Sequence, residues 1–227
     1  MSIIDTLIQA GLANKLFTHD DLRQLLEGTD ASRYALVNKA LNKGQIVQLK
    51  RGVYVMSNKL LRQPLSQFFI ASQMIPHSYV SFENALSFHG WIPEGVKMVS
   101  SVIHQGRSKA FETPLGEFQY IVIPINQYEF LTGVSRVTLE DQPFLMASPL
   151  RALTDLVYEK KLKWQSLDYL VNAMRIDLDN LLTLKQEDFS TIKPVYRSKR
   201  VLAFIHQLED SIIHYGSFDH STKTKRS

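Results

Sequence analysis

Residues 30–55 read DASRYALVNKALNKGQIVQLKRGVYV, and within this stretch the hydrophobic period changes from helical to alternating. Leu36, Val37, Ala40 and Leu41 fall within about 140° at 100° per residue, which predicts an amphipathic helix. Asp30 or Ser32 starts it and Gly44 stops it. Its opposite side carries Ser32, Ala35, Asn38, Lys39 and Asn42, with Lys43 at the end. After Gly44, the runs Gln45 to Leu49 and Val53 to Val55 are β-rich, and Lys50-Arg51-Gly52 between them predicts a hairpin turn with Gly52 at positive φ. Upstream, Ser2 is placed to cap a helix bearing Ile3, Ile4, Leu7 and Ile8 and ending near Gly11. Thr18 with Asp21 predicts a capping box for a second helix, from His19 to about Leu26, closed by Gly28. Three helices and a hairpin are the layout of a winged helix-turn-helix domain, assigned to residues 1–62.

The charge of this stretch is one-sided. From Ala31 to Phe82 there is no Asp or Glu, against seven basic residues: Arg33, Lys39, Lys43, Lys50, Arg51, Lys59 and Arg62. The net charge of +4 on 227 residues is therefore concentrated near the N-terminus. Such a field predicts a polyanionic partner, although charge alone also fits a solvated basic face. The helix pattern favours duplex DNA, because Asn pairs with adenine edges, Lys with guanine or phosphate, and Ala permits close approach. Arg33 and Tyr34 lie on the flanks, where they are expected to touch phosphate or to pack. Lys50 and Arg51 are expected to reach phosphates or a minor groove from the hairpin turn. The expected DNA-binding set is Ser32, Arg33, Tyr34, Asn38, Lys39, Asn42, Lys43, Lys50 and Arg51.

With no cysteine, the chain cannot form disulfides, thiolate metal sites or a cysteine nucleophile, and it suits a reducing compartment. No apolar run approaches the ~18 residues of a membrane span, and the opening Met1-Ser2-Ile3-Ile4-Asp5 lacks the basic region of a signal peptide. A cytoplasmic protein is expected. A boundary at residues 62–64 leads to a second region, 63–218, of mixed α/β character with a helical C-terminal third. Leu65 to Met74 and Phe82 to His89 read as helices, the latter capped by Ser81. Val99 to His104, Phe118 to Ile123 and Phe144 to Ala147 read as strands. Ser148-Pro149 opens a helix whose buried stripe is Leu150, Leu153, Leu156 and Val157. Two further helical stripes follow, around Leu167 to Met174 and Val201 to Ile212. Residues 219–227 read as a disordered basic tail. The fold class is α+β.

Catalytic motifs are missing: there is no GxxxxGK[ST], GxGxxG, GxSxG or HExxH. The seven histidines lack metal-ligand spacing, so neither metal nor cofactor is expected. Asp177 and Asp179 have a DxD form, yet they sit between helical stripes and read as cap or surface acids. Glu112 and Glu117 flank a solvated turn, and Ser100, Ser101 and His104 have no orienting acid. Arg107 and Lys109 read equally as a second nucleic-acid contact or a solvated loop.

Three segments resemble the AbiEi-type antitoxins. They are Ser78 to Glu94 (SYVSFENALSFHGWIPE), Gly106 to Phe118 (GRSKAFETPLGEF) and Ala147 to Tyr158 (ASPLRALTDLVY), in the family's order and after Arg51-Gly52-Val53-Tyr54. The resemblance covers roughly Phe17 to Tyr158. It implies a non-enzymatic transcriptional repressor and antitoxin of a bacterial toxin–antitoxin, or abortive-infection, system. Such a protein binds inverted repeats of double-stranded DNA in its own promoter, with two copies on the DNA. It counteracts a nucleotidyltransferase-like toxin without necessarily forming a tight complex. The alternative is a protein-interaction module that neutralises a toxin by direct contact.

Overall fold

The computed structural model describes the backbone of residues 2–223 and the side chains of residues 2–214, in a mixed α+β arrangement. In the N-terminal part, Ser2 caps α1 (Ile3–Gln9), accepting from the Asp5 amide at 3.2 Å, while the Asp5 carboxylate accepts from the Ser2 amide at 3.1 Å. Two residues, Phe17–Thr18, form β1; Thr18 and Asp21 then build the expected box that starts α2 (His19–Leu25). The cap of α3 (Asp30–Asn42) is Thr29, one residue before the earliest expected start, and its hydroxyl accepts from the Ser32 amide at 3.2 Å. The hairpin is β2 (Ile46–Lys50) with β3 (Val53–Met56), and β1 adds to β3 to give the order β1-β3-β2. Val37 and Ala40 of α3 pack on Leu7, Phe17, Leu22 and Ile46. Leu36, expected in that stripe, is 40% exposed, because α3 is covered on one side only and Leu36 lies at the edge of the contact.

The second part contains α4 (Gln67–Met74), β4 (Tyr79–Val80), α5 (Phe82–Phe88), β5 (Met98–Ile103), β6 (Lys109–Thr113), β7 (Gly116–Val122), β8 (Val134–Leu139) and β9 (Gln142–Ala147). Their six strands form one mixed sheet in the order β6-β7-β5-β4-β9-β8. The pairs β6–β7, β4–β5 and β8–β9 are antiparallel, and β5–β7 and β4–β9 are parallel. Then follow α6 (Pro149–Glu159), a π-helical turn at Tyr169–Ala173, α7 (Leu178–Leu182), α8 (Gln186–Ile192) and α9 (Lys199–Lys223). The tail expected over residues 219–227 falls in the last turns of α9 and beyond, outside the described side chains. Among the described residues no helix is long and apolar enough to cross a membrane. Leu49 and Val55 of the hairpin join the large core of the second part, so the two parts share packing across the expected boundary.

Helix α6 is the centre of that core. Ser148 caps it as expected, and Leu150, Leu153, Leu156 and Val157 are buried. Its other faces are buried too, and they carry Arg151 and Asp155, both without solvent exposure. Asp155 accepts from Arg151 Nε at 3.1 Å, Tyr79 Oη at 3.0 Å, Ser81 Oγ at 2.7 Å and the Tyr196 hydroxyl. Ser81 stands at the N-cap position of α5, but its side chain makes no cap hydrogen bond; its hydroxyl instead donates to the buried Asp155 carboxylate. Arg151 also donates to the Tyr79 hydroxyl and, at 2.6 Å, to the Thr132 carbonyl. Burial works against the Arg151 charge, but the Asp155 carboxylate outweighs it and holds the guanidinium protonated. Burial, reinforced by Asp155, pushes the Tyr79 and Tyr196 phenols well above their ordinary value.

Gly133 sits against this network at φ +70°, and its carbonyl accepts the Ser148 amide at 2.7 Å. A Cβ there would lie 2.6 Å from Ile192 Cδ1 and 3.3 Å from Arg151 Cβ. Gly133→Ala is thus expected to lower stability by about 1–3 kcal/mol, from positive φ and overpacking together. A urea midpoint equal to that of the parent would contradict the geometry.

Candidate nucleic-acid interface

Helices α2 and α3 are joined by Leu26 to Thr29, and the sharpness of the turn depends on Gly28 at φ +102°. Any side chain there would meet Ser32 Oγ at 2.6 Å. Arg33 clamps the turn: its guanidinium donates to the Gly28 carbonyl at 2.6 Å, the Leu26 carbonyl at 3.0 Å and Asp30 Oδ1 at 2.9 Å. With its side chain only 17% exposed, Arg33 takes the packing role of the two expected for it, not a phosphate contact. Arg23 adds a second cation to Asp30 at 3.4 Å. The hydrogen bond from Arg33, and the charge of Arg23, hold the Asp30 carboxyl below the usual carboxylate range. The one acid at the start of α3 is thereby matched by two arginines and puts no uncompensated negative charge beside an approaching anion.

Along the outer side of α3, Asn38, Lys39, Asn42 and Lys43 are exposed, and none makes a side-chain hydrogen bond or ion pair among the described residues. Ser32 stands on the same side, with its hydroxyl proton given to the Thr29 carbonyl at 2.8 Å, so towards a ligand it can only accept. From Ser32 to Lys43 the helix rises about 16 Å. Tyr34 is 59% exposed at the margin, its ring 6.4 Å from that of His19, and His19 Nε2 lies 3.0 Å from the Tyr54 hydroxyl. Carboxamides and ammoniums spaced this way along an acid-free helix face can donate to and accept from base edges and donate to phosphates.

The hairpin turn divides its two cations. Arg51 is exposed and unpaired among the described residues. Lys50 is turned inward: its ammonium donates to the Met74 carbonyl at the end of α4, 2.6 Å away, and lies 6.0 Å from the Phe111 ring centre. Burial, with the nearby charge of Lys109, lowers its pKa from the ordinary lysine value. The expectation that Lys50 reaches phosphate is therefore corrected; it ties the hairpin to the second part. Lys50→Met is expected to lower stability by about 1 kcal/mol and to leave nucleic-acid affinity within about twofold, the reverse of Arg51→Ala. Urea titration and binding measurements on both variants check this.

Elsewhere the expected chemistry does not assemble. Asp177 caps α7, accepting from the Asp179 amide at 2.8 Å, which is the cap reading of the DxD pair. Glu112 and Glu117 face each other across β6 and β7 as exposed residues. Neither Ser100 nor Ser101 bonds to His104, which instead packs on Phe130. Lys109 lies in β6, not in a loop. Among the described residues no three His, Asp or Glu side chains are grouped to hold a metal. The Arg151–Asp155 network was not foreseen; its signal was an i,i+4 ion pair set inside an apolar helix. No family model matches the chain, and no curated protein matches it.

Proposed function

We propose that the N-terminal part is a winged helix-turn-helix that binds duplex DNA. In this reading α3 enters the major groove and Arg51 meets the backbone from the hairpin turn. The observation that carries the reading is the outer side of α3, where Asn38, Lys39, Asn42 and Lys43 are exposed and, among the described residues, make no side-chain hydrogen bond or ion pair, on a helix with no acid after Asp30. Together with the resemblance to AbiEi-type antitoxins, it supports a cytoplasmic transcriptional repressor and antitoxin. That protein acts at inverted repeats in its own promoter, two copies on the DNA, and opposes a nucleotidyltransferase-like toxin. The proposed contact set is Ser32, Asn38, Lys39, Asn42, Lys43 and Arg51, with Arg33 and Lys50 reassigned to shaping the unit. Tyr34 and Leu36, exposed at the margins of α3, favour a second reading in which this helix docks a partner protein. Fluorescence anisotropy with a duplex from upstream of the chain's own gene separates the two. Saturable binding that exceeds binding to a scrambled duplex supports the first reading. A protein that shifts no promoter DNA but co-purifies with the product of the neighbouring gene supports the second.

A further inference from the structure

Arg151 holds the segment before β8 from beneath, through the carbonyls of Phe130 at 3.5 Å and Thr132 at 2.6 Å. That fixed segment presents two large side chains outward: Tyr128 is 91% exposed and Leu131 51%. They border a groove of about 700 Å³ whose floor includes Ile103, Phe130 and Leu145. Among the described residues no Asp or Glu lines it. Its polar edge consists of His77, His104, Gln105 and Gln127, none of which makes a side-chain hydrogen bond among the described residues. A second hollow of about 330 Å³ adjoins it, sharing Pro76, His77, Ser78 and Leu145. Arg136, on the outermost strand β8, lines that hollow; it is exposed and has no carboxylate partner among the described residues.

The chemistry of this pair of hollows is specific. The larger has an apolar floor, an exposed aromatic ring and two carboxamides able to donate and accept. The smaller, past an imidazole, has a guanidinium, and nothing in either repels an anion. A purely aliphatic ligand would leave the amides and imidazoles unmatched, and a cation would find no carboxylate. A flat heteroaromatic ring that carries an anion matches both. We propose that the groove binds a nucleoside monophosphate unit, its base against Tyr128 with the edge towards Gln105 and Gln127, and its phosphate at Arg136. The unit is either a free nucleotide or the 5′ end of a single strand. This assignment stands apart from duplex binding by α3, whose residues lie outside both hollows.

The test titrates the full chain with adenosine 5′-monophosphate, adenosine and the dinucleotide pApA, followed by NMR saturation transfer and calorimetry. Saturable binding of the monophosphate is expected, with adenosine about tenfold weaker because it lacks the charge-assisted contact. Arg136→Ala is expected to reduce the monophosphate to the level of adenosine, and Tyr128→Ala to weaken both about tenfold through lost stacking. Tyr128 and Arg136 are both exposed, so both variants should keep the parent circular dichroism and melting temperature. Tighter binding of pApA assigns the site to strand ends; equal or weaker binding assigns it to free nucleotide. No saturation by the monophosphate or pApA up to about 10 mM overturns the proposal, as does binding that neither substitution changes.

Discussion

Asp155→Ala is expected to destabilise the protein by about 3–5 kcal/mol, enough to lower its melting temperature by about 6–20 °C. The carboxylate accepts four hydrogen bonds at a position with no solvent exposure. Without it, the Arg151 guanidinium remains buried with no counter-charge, and the hydroxyls of Tyr79, Ser81 and Tyr196 lose their acceptor. A single water in the cavity would restore only part of this, since it is neutral and cannot balance the guanidinium charge. Two further variants separate this cause from simple loss of volume. Asp155→Asn keeps the shape but removes the charge, and since an amide both donates and accepts it cannot serve four donors; it should lose most of the same stability. The double variant Arg151→Met/Asp155→Leu should recover part of the loss, because no uncompensated charge remains. Recovery will be incomplete, since the carbonyls of Phe130 and Thr132 and three hydroxyls stay orphaned. Urea unfolding of the three proteins measures all of this. A single Asp155→Ala costing less than about 1 kcal/mol would mean that the network is not closed as described.

The second large effect concerns α3. Replacing Asn38, Lys39 and Asn42 together by alanine is expected to reduce preferential binding to the promoter duplex by about 10²–10⁴-fold, as the two asparagine base contacts are each worth about 1–3 kcal/mol. Affinity for a scrambled duplex should fall much less, because the phosphate contacts proposed for Lys43 and Arg51 remain. Unfolding cannot produce this result: the three side chains are exposed and make no contact that the helix needs. Alanine is also a better helix former than asparagine, so the variant should be at least as stable as the parent. A triple variant that still prefers the promoter duplex as strongly as the parent would remove α3 from the reading of sequence.

Much of the α3 unit was legible in the sequence because its signals are local. The Ser2 cap and the Thr18 capping box each lie within four consecutive residues, and the change from helical to alternating period at Gly44 marks the hairpin. The same holds for Ser148-Pro149 at the start of α6. What escaped depends on partners far along the chain. Strand β4 has two residues and exists because β5 and β9 flank it. Strands β6 and β8 lie at the edges of the sheet, where one half-exposed face weakens the alternation that marks a buried strand. Lys50 looked like a wing tip because its carbonyl partner is 24 residues away. Arg151 and Asp155 lie outside the apolar stripe of Leu150, Leu153, Leu156 and Val157, and only the packing of Tyr79 and Tyr196 around them makes that side core as well.

The dependence of duplex affinity on salt tests DNA binding by α3 most directly. For the parent, the logarithm of the association constant should fall linearly with the logarithm of salt concentration, at about 0.9 per phosphate contact. With Lys39, Lys43 and Arg51 engaged, the slope should be about −3 or steeper. In the double variant Lys39→Ala/Lys43→Ala it should become shallower by about 2. An unchanged slope in that variant, or no saturable duplex binding by the parent at about 50 mM salt, would contradict the assignment of this face to DNA.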